Sequence, residues 1–249
     1  MKKVILIILS LCLIACDTEN AIDCFQRTGD IIREEVVVTD FTRILVNPNV
    51  ELIIKQGQDT MVIIETGDNL LEEVSAIVEG DRLVLSNTND CNFVRDFNQT
   101  KIFVTAPNIS EIRSATQFDI SSDGILTYDS LSLISEDFNE DNGGNTTGTF
   151  TMNFDNEMVT VVGNNIASFF ISGETTTLNI TFASGTGRFE GEGLITQDVN
   201  IRHRGTNKII VNPQQSIKGE LLSTGDVISV NRPPIIEVEE FFTGRLIFQ

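Results

Sequence analysis

Thr186-Gly187-Arg188-Phe189 is one of six related four-residue stretches in the second half of the chain. The others are Thr147-Gly148-Thr149-Phe150, Ile166-Ala167-Ser168-Phe169, Thr206-Asn207-Lys208-Ile209, Thr224-Gly225-Asp226-Val227 and Thr243-Gly244-Arg245-Leu246. Their apolar fourth residues stand 19, 20, 20, 18 and 19 residues apart. A fixed period near 20 residues is typical of proteins in which one structural repeat stacks on the next.

Each repeat also contains two apolar residues that are two positions apart, such as Val199 and Ile201. That spacing is typical of a strand rather than a helix. Two short strands and two turns account for about 19 residues, whereas a two-helix repeat needs about 33. The sequence therefore predicts an all-β fold, namely a right-handed parallel β-helix or β-solenoid with about 19-residue coils. Gly or Asn in the second position of the motif suits turns that require a positive φ.

Residues 31–108 lack this period and contain strand-like runs with hairpin turns, for example Glu79-Gly80-Asp81. We expect this β-rich region to cap one end of the solenoid, because an uncovered strand edge invites aggregation. The predicted division is a signal peptide over 1–15, a tether over 16–30, an N-terminal β region over 31–108 and the solenoid over 109–249.

The amino terminus resembles a bacterial lipoprotein signal. Two lysines precede an apolar run that ends in Leu13-Ile14-Ala15-Cys16. The run is too short for a permanent transmembrane helix and is typical of a secretory signal peptide. The resemblance implies that Cys16 is acylated and becomes the first mature residue. An ordinary signal peptide with an incidental Cys is the alternative.

Two further cysteines, Cys24 and Cys91, remain after the signal. In an oxidising compartment outside the cytoplasm we expect them to form a disulfide. Free thiols or a metal pair are the alternatives, although two cysteines without a nearby histidine make a poor metal site.

The mature chain resembles the putative auto-transporter adhesin, head GIN domain family of Bacteroidetes lipoproteins. Four features carry the resemblance: Asp40-Phe41-Thr42-Arg43-Ile44 followed by 50–57, Glu65-Thr66-Gly67-Asp68-Asn69-Leu70, Gly80-Asp81-Arg82-Leu83, and the turn Ser223-Thr224-Gly225-Asp226-Val227. The resemblance implies a β-helix-like surface protein of undetermined function. It implies no catalytic residues and no cofactor.

The chain is strongly acidic, with a formal net charge of −19. This argues against nucleic acid or an anionic membrane face as a partner. One group of basic residues could still receive an anionic glycan or an acidic protein, although solvent-facing ladder charges are the simpler interpretation. The candidate ligand face consists of Arg188, Arg202, Arg204, Lys208 and Arg245.

The loop around 136–144 places oxygen-bearing side chains at alternate positions, as calcium loops do. Asp137, Asn139 and Asp141 are the weak calcium candidates, but the central Gly and terminal Glu of such loops are missing. We therefore expect a solvated loop and no metal or other cofactor. The only histidine, His203, stands between two arginines and next to no plausible nucleophile.

The sequence thus predicts a lipid-anchored protein of the outer membrane that faces the periplasm or the cell exterior. Its expected role is a non-catalytic, adhesin-like binding module for extracellular protein or glycan. A polysaccharide-active β-helix enzyme and an envelope scaffold or sensor are the alternatives. The scarcity of Tyr and Trp, with one and none respectively, disfavours the enzyme because such clefts are usually lined with aromatic residues.

Overall fold

The computed structural model describes residues 23–137 and 146–249. In these ranges the only helices are two short 3-10 helices, η1 (Asp23–Phe25) and η2 (Asp68–Glu73). The strands there are β1 (Ile31–Val36), β2 (Arg43–Val46), β3 (Glu51–Gln56), β4 (Met61–Gly67), β5 (Val74–Glu79), β6 (Arg82–Asn87), β7 (Lys101–Ala106), β8 (Glu111–Ser114), β9 (Asp119–Leu126), β10 (Ser130–Ser135), β11 (Thr149–Gly163), β12 (Ser168–Phe182), β13 (Arg188–His203), β14 (Ile209–Leu221), β15 (Val227–Ser229), β16 (Ile235–Glu240) and β17 (Leu246–Phe248).

Burial alternates along the strands, as a period of two requires. In β7, for example, Ile102 and Val104 are buried while Phe103 between them is partly exposed. Because successive side chains of a strand point to opposite faces, alternation of this kind places one row of side chains in the core. The inward rows of the strands meet in a single hydrophobic cluster that extends from Phe41 to Val227.

Strands β8–β17, here called the parallel ladder, pair with one another in parallel. Their register follows the sequence repeat and aligns one file of residues: Phe150, Phe169, Phe189, Ile209, Val227 and Leu246. All are buried except Leu246, which lies in the last strand and is half-buried. The rings of Phe150 and Phe169 stack with centroids 4.9 Å apart, which is about the separation of neighbouring strands. The predicted alignment of these six residues is therefore confirmed.

The predicted fold class is correct as all-β but wrong as a right-handed parallel β-helix. The strands form one sheet of mixed orientation that curves into a nearly closed barrel. Three pairings are antiparallel: β1 with β4, β4 with β7, and β5 with β6. The physical reason is local in one case, since the short turn at Gly80, where φ is +68°, reverses the chain between β5 and β6.

The expected capping region is part of the same sheet. Strands β2 and β3 pair in parallel with β8 and β9, so backbone hydrogen bonding continues across the predicted boundary between residues 108 and 109. Strand β7 lies between β3 and β4 and therefore separates two strands that are neighbours in the chain. The domain boundaries themselves stay predictions.

The repeat is kept in register by bulges where its length varies. Between the pairs Glu190–Ile210 and Ile195–Asn212, β13 contains three residues more than β14. Two of the extra residues are Gly191 and Gly193. The bulge absorbs the length difference between repeats because residues of a bulged strand can leave the ladder without shifting the pairs on either side.

Three of the motif glycines, Gly148, Gly225 and Gly244, are required by close approach of successive repeats, whereas Gly187 has room for a Cβ. A Cβ on Gly225 would lie 2.3 Å from the carbonyl oxygen of Asn207, and a Cβ on Gly244 would lie 2.3 Å from the carbonyl oxygen of Gly225. Neither glycine has a positive φ, so the expectation of positive φ at these turns is wrong. At these turns the backbones of neighbouring repeats contact each other and leave no space for a Cβ.

Candidate binding surface

The five residues of the predicted ligand face lie in or beside the parallel ladder and form two groups. Arg188, Lys208 and Arg245 each come immediately before a residue of the aligned file, whereas Arg202 and Arg204 lie at the other end of β13. Arg188 opens β13 opposite Ser168, whereas Arg202 lies near the end of the same strand between Thr181 and Glu220. The structure therefore does not gather the predicted face around one point. Whether these residues bind a ligand stays a prediction.

Four of the five basic groups on this surface have an acidic neighbour. Glu190 accepts a hydrogen bond from Arg188 and also lies 3.4 Å from the Nζ of Lys208. Burial raises the pKa of Glu190, but the hydrogen bond from Arg188 and the two positive charges outweigh it and lower the pKa overall. The carboxylate is therefore ionised at neutral pH and offsets part of the positive charge of the column.

Arg202 and Arg245 are also paired with glutamates. The Nε of Arg202 lies 3.9 Å from a carboxylate oxygen of Glu220, and the Nε of Arg245 lies 3.5 Å from one of Glu240. Arg204, the fifth residue of the predicted face, is exposed two residues after Arg202. These pairs are largely open to solvent and stabilise the fold little. The surface is a mixed-charge ladder rather than a continuous basic stripe.

His203 is buried in the core and its ring is hydrogen-bonded to backbone. Its Nε2 lies 2.8 Å from the carbonyl oxygen of Asn207, and its Nδ1 accepts a hydrogen bond from the N–H of Gly205. Burial lowers the pKa of His203, although the bond to Asn207 and the charge of Asp226 act in the opposite direction. A fully covered imidazole cannot reach a ligand at the surface.

Two of the three calcium candidates, Asn139 and Asp141, lie outside the described residues. Asp137 is described, and its carboxylate accepts a hydrogen bond from the side chain of Asn164. Over 23–137 and 146–249 no three His, Cys, Asp or Glu residues are grouped as metal ligands. Calcium binding therefore stays a prediction.

Cys24 and Cys91 form the predicted disulfide, with an S–S distance of 2.02 Å. The bond ties η1 to residues 91–99, a segment between β6 and β7 here called the aromatic loop. The N–H of Phe93 donates a hydrogen bond to the carbonyl oxygen of Cys24 at 3.0 Å. The guanidinium of Arg95 donates to the carbonyl oxygens of Gln26 and Cys91. These contacts fix the loop against the start of the described chain.

The aromatic loop exposes a patch of large apolar side chains that sequence reasoning missed. Phe93 is 73% exposed, Val94 is 52% exposed and Phe97 is 81% exposed. Phe25 of η1 is 56% exposed, and its ring centroid lies 5.7 Å from that of Phe93. The detectable signal was the run Phe93-Val94-Arg95-Asp96-Phe97, which contains three large apolar residues outside any alternating strand pattern.

A small polar cavity of about 110 Å³ lies beside the same loop. Carboxamide side chains dominate its lining, and Gln117 donates to the side-chain oxygen of Asn49 at 2.7 Å. The side chain of Asn49 in turn donates to Asp90. These amides hydrogen-bond to one another and hold the loop, an arrangement that differs from a paired acid and base poised for catalysis.

The described helices include none that is long and apolar enough to cross a membrane. Cys16, the predicted acylation site, lies outside the described residues. Acylation of this residue therefore stays a prediction.

Together these features define a repeat-built, all-β protein that presents an extended mixed-charge surface and an exposed aromatic patch. The chain belongs to the putative auto-transporter adhesin, head GIN domain family, whose model matches residues 40–233. The family resemblance of the sequence is thus confirmed.

Solved structures with a similar fold carry related descriptions. A putative adhesin from Bacteroides fragilis is 19% identical, has a TM-score of 0.78, and matches over 90% of this chain and 99% of its own. A putative adhesin from Parabacteroides distasonis is 14% identical, with a TM-score of 0.63 and coverage of 90% and 99%. A putative lipid binding protein from the same species is 11% identical, with a TM-score of 0.60 and coverage of 89% and 98%. At these identities the similarity establishes the fold alone. No curated protein matches the chain.

Proposed function

We propose that this protein is a non-catalytic, adhesin-like binding module of the cell envelope that contacts extracellular protein or glycan. The proposal rests on the outward face of the parallel ladder. Strands β11–β14 are 13 to 16 residues long and lie side by side, so they present a broad surface of alternating outward side chains. Such a surface suits binding of an extended partner over several strands.

The membership of the family and the names of the structural relatives support this role. Those relatives are described as adhesins or as a lipid binding protein. A polysaccharide-active enzyme would need a pair of carboxyl groups about 5 to 9 Å apart on either side of a substrate cleft. Several carboxylates on the ladder are instead paired with basic side chains, as Glu190 is with Arg188 and Lys208. The binding role therefore fits this surface better than hydrolysis does.

The binding face is tested by charge reversal on intact cells. Proteins cross-linked to the wild type are compared with those cross-linked to the double variant Arg188→Glu/Arg245→Glu. The matched control is Arg33→Glu/Lys55→Glu, which reverses two exposed basic residues that are paired with Glu65 and Asp123 on other strands. Loss of a partner in the first variant alone supports the face. If both variants capture the same partners as the wild type, these basic residues do not form the binding face.

A glycan array with the purified protein separates binding from catalysis. Retention of an oligosaccharide without new reducing ends supports the binding role. Release of reducing ends from that oligosaccharide would refute it and favour the enzyme.

We also propose that acyl chains on Cys16 hold the protein on the outer membrane. The motif Leu13-Ile14-Ala15-Cys16 supports this, and attachment through several chains is stable where a single chain is marginal. Metabolic labelling with an alkyne fatty acid tests it. The wild type should carry the label and sediment with membranes, and Cys16→Ser should lose both. Labelling that persists in Cys16→Ser would refute acylation at this residue.

A further inference from the structure

The exposed patch of the aromatic loop consists of Phe25, Phe93, Val94 and Phe97, and it is costly to leave in water. Each of the four side chains is more than half exposed. The rings of Phe25 and Phe93 are in contact, and Val94 and Phe97 lie within four residues of Phe93. Grouped apolar surface of this kind marks a contact site for a protein or a membrane, whereas single exposed apolar residues need no explanation. The patch therefore calls for a partner.

The patch is held in a fixed conformation before any partner arrives. The disulfide between Cys24 and Cys91 joins the two segments that carry it. Arg95, which lies between Val94 and Phe97, donates hydrogen bonds to the carbonyl oxygens of Gln26 and Cys91 and so points its charge inward. A rigid apolar surface loses little conformational entropy on binding.

The position of the patch along the chain identifies the occupant. Only six residues lie between Cys16 and Asp23, where the described chain begins. Even fully extended, that segment spans about 25 Å. An acyl anchor at Cys16 would therefore keep the patch within reach of the lipid surface at all times.

Charge selects the type of lipid surface. The chain has a formal net charge of −19 and is repelled by anionic headgroups. The four patch side chains are apolar, and apolar and aromatic residues are the ones that enter the headgroup boundary of a bilayer. Asp96, which is exposed between Val94 and Phe97, adds to the repulsion from anionic headgroups. A zwitterionic surface is the one that such a patch on an acidic protein can approach.

We propose that Phe25, Phe93, Val94 and Phe97 contact the lipid surface of the membrane that carries the anchor and hold the domain against it. The proposal rests on the anchoring at Cys16 for its proximity argument, and it adds a second, non-covalent contact. It predicts that the domain lies on the bilayer at this patch instead of swinging freely on its tether.

The chain contains no Trp, so one introduced Trp reports its own surroundings. The full-length acylated protein carrying Phe97→Trp is reconstituted into phosphatidylcholine vesicles with and without brominated acyl chains. We expect a blue-shifted emission and quenching of at least twofold by the brominated lipid. The matched control is Phe242→Trp, because Phe242 is 60% exposed but follows β16 at the other end of the ladder. Its emission should be unchanged.

A second substitution separates contact by the patch from chance proximity. Adding Phe93→Asp to the Phe97→Trp protein should reduce the quenching at least twofold, whereas adding Phe241→Asp should not. Flotation of the vesicles reports the anchor separately, so failure of acylation and failure of the patch give different results. Unquenched emission from the Phe97→Trp protein, or equal quenching with Phe93→Asp, would overturn the proposal.

Discussion

Phe169→Ala should be among the most destabilising single changes in this chain. Phe169 is fully buried in the central file of the parallel ladder and stacks on Phe150 at 4.9 Å. It also lies 6.0 Å from the ring of Phe182. Truncation of a buried Phe costs about 3 to 5 kcal/mol, and a lost aromatic pair adds about 0.5 to 1.5 kcal/mol. We expect the free energy of unfolding to fall by about 4 kcal/mol.

Equilibrium unfolding in urea, followed by circular dichroism with the disulfide intact, measures this change. A loss of about 4 kcal/mol corresponds to a midpoint lower by about 1.5 M urea for an ordinary slope. The adjacent Phe170 provides the control, since it is 36% exposed and contacts only the outer face, where its ring lies 5.8 Å from the guanidinium of Arg188. Phe170→Ala should cost about 1 kcal/mol. If Phe169→Ala and Phe170→Ala lower the free energy of unfolding equally, the ring of Phe169 is not packed in the core as we describe.

Three further changes test other parts of the structure. Removal of the disulfide by Cys24→Ser/Cys91→Ser should lower the free energy of unfolding by about 4 kcal/mol, because the bond closes a loop with a sequence separation of 67; an unchanged urea midpoint would contradict this. Gly219→Ala should lower the melting temperature far more than Gly193→Ala. Gly219 has a φ of +136°, and an added Cβ would lie 1.8 Å from a carbonyl oxygen, whereas the atom nearest to a Cβ on Gly193 would be 3.5 Å away. Equal melting temperatures of the two variants would refute the strain argument. Because the pKa of His203 is lowered in the folded state, its contribution to stability is complete above the unfolded pKa of about 6.5 and is lost as the pH falls below it. The difference in free energy of unfolding between the wild type and His203→Leu should therefore shrink as the pH falls from about 7.5 to about 5.5, by at most about 1.4 kcal/mol per pH unit. A difference that grows over this range would contradict a lowered pKa of His203.

The sequence was sufficient to predict the register of the ladder. A repeat of about 20 residues with one apolar residue at a constant place leaves a single alignment that buries the whole file, because a shift by one residue would turn every side chain to the other face. That is why Phe150, Phe169 and Phe189 lie in line. The Cys24–Cys91 pair was likewise predictable, since few cysteines remain after the signal.

The mixed strand order could not be predicted because it depends on distant pairings. Nothing in β3 or β4 indicates that β7, more than thirty residues later, lies between them. Hairpin turns specify that a chain reverses, but not which strand accepts the free edge. The buried ion pair between Arg113 and Glu136, at 2.7 Å, was missed for a similar reason, because charged residues are usually read as exposed.

The surface residues of the candidate site were only partly predictable. The positions of Arg188 and Lys208 in the repeat indicated that they face outward, but not that Glu190 would sit between them. The exposure of Phe93 and Phe97 was not predictable, since an apolar residue outside a periodic pattern can lie on either side of a loop. The sequence shows that these apolar residues lie outside a strand pattern, but only the tertiary structure shows that they face solvent.

The bulge at Gly191 and Gly193 suggests how this scaffold can be diversified. Four residues of β13 already lie opposite one residue of β14 while the pairs on both sides stay aligned. Residues could therefore be gained at the exposed middle of the bulge, beside Glu192 and Gly193, while the buried Gly191 and Leu194 on either side stay in place. A short epitope tag or recognition peptide inserted between these glycines would be displayed from the middle of the ladder, on the face that we propose meets the partner.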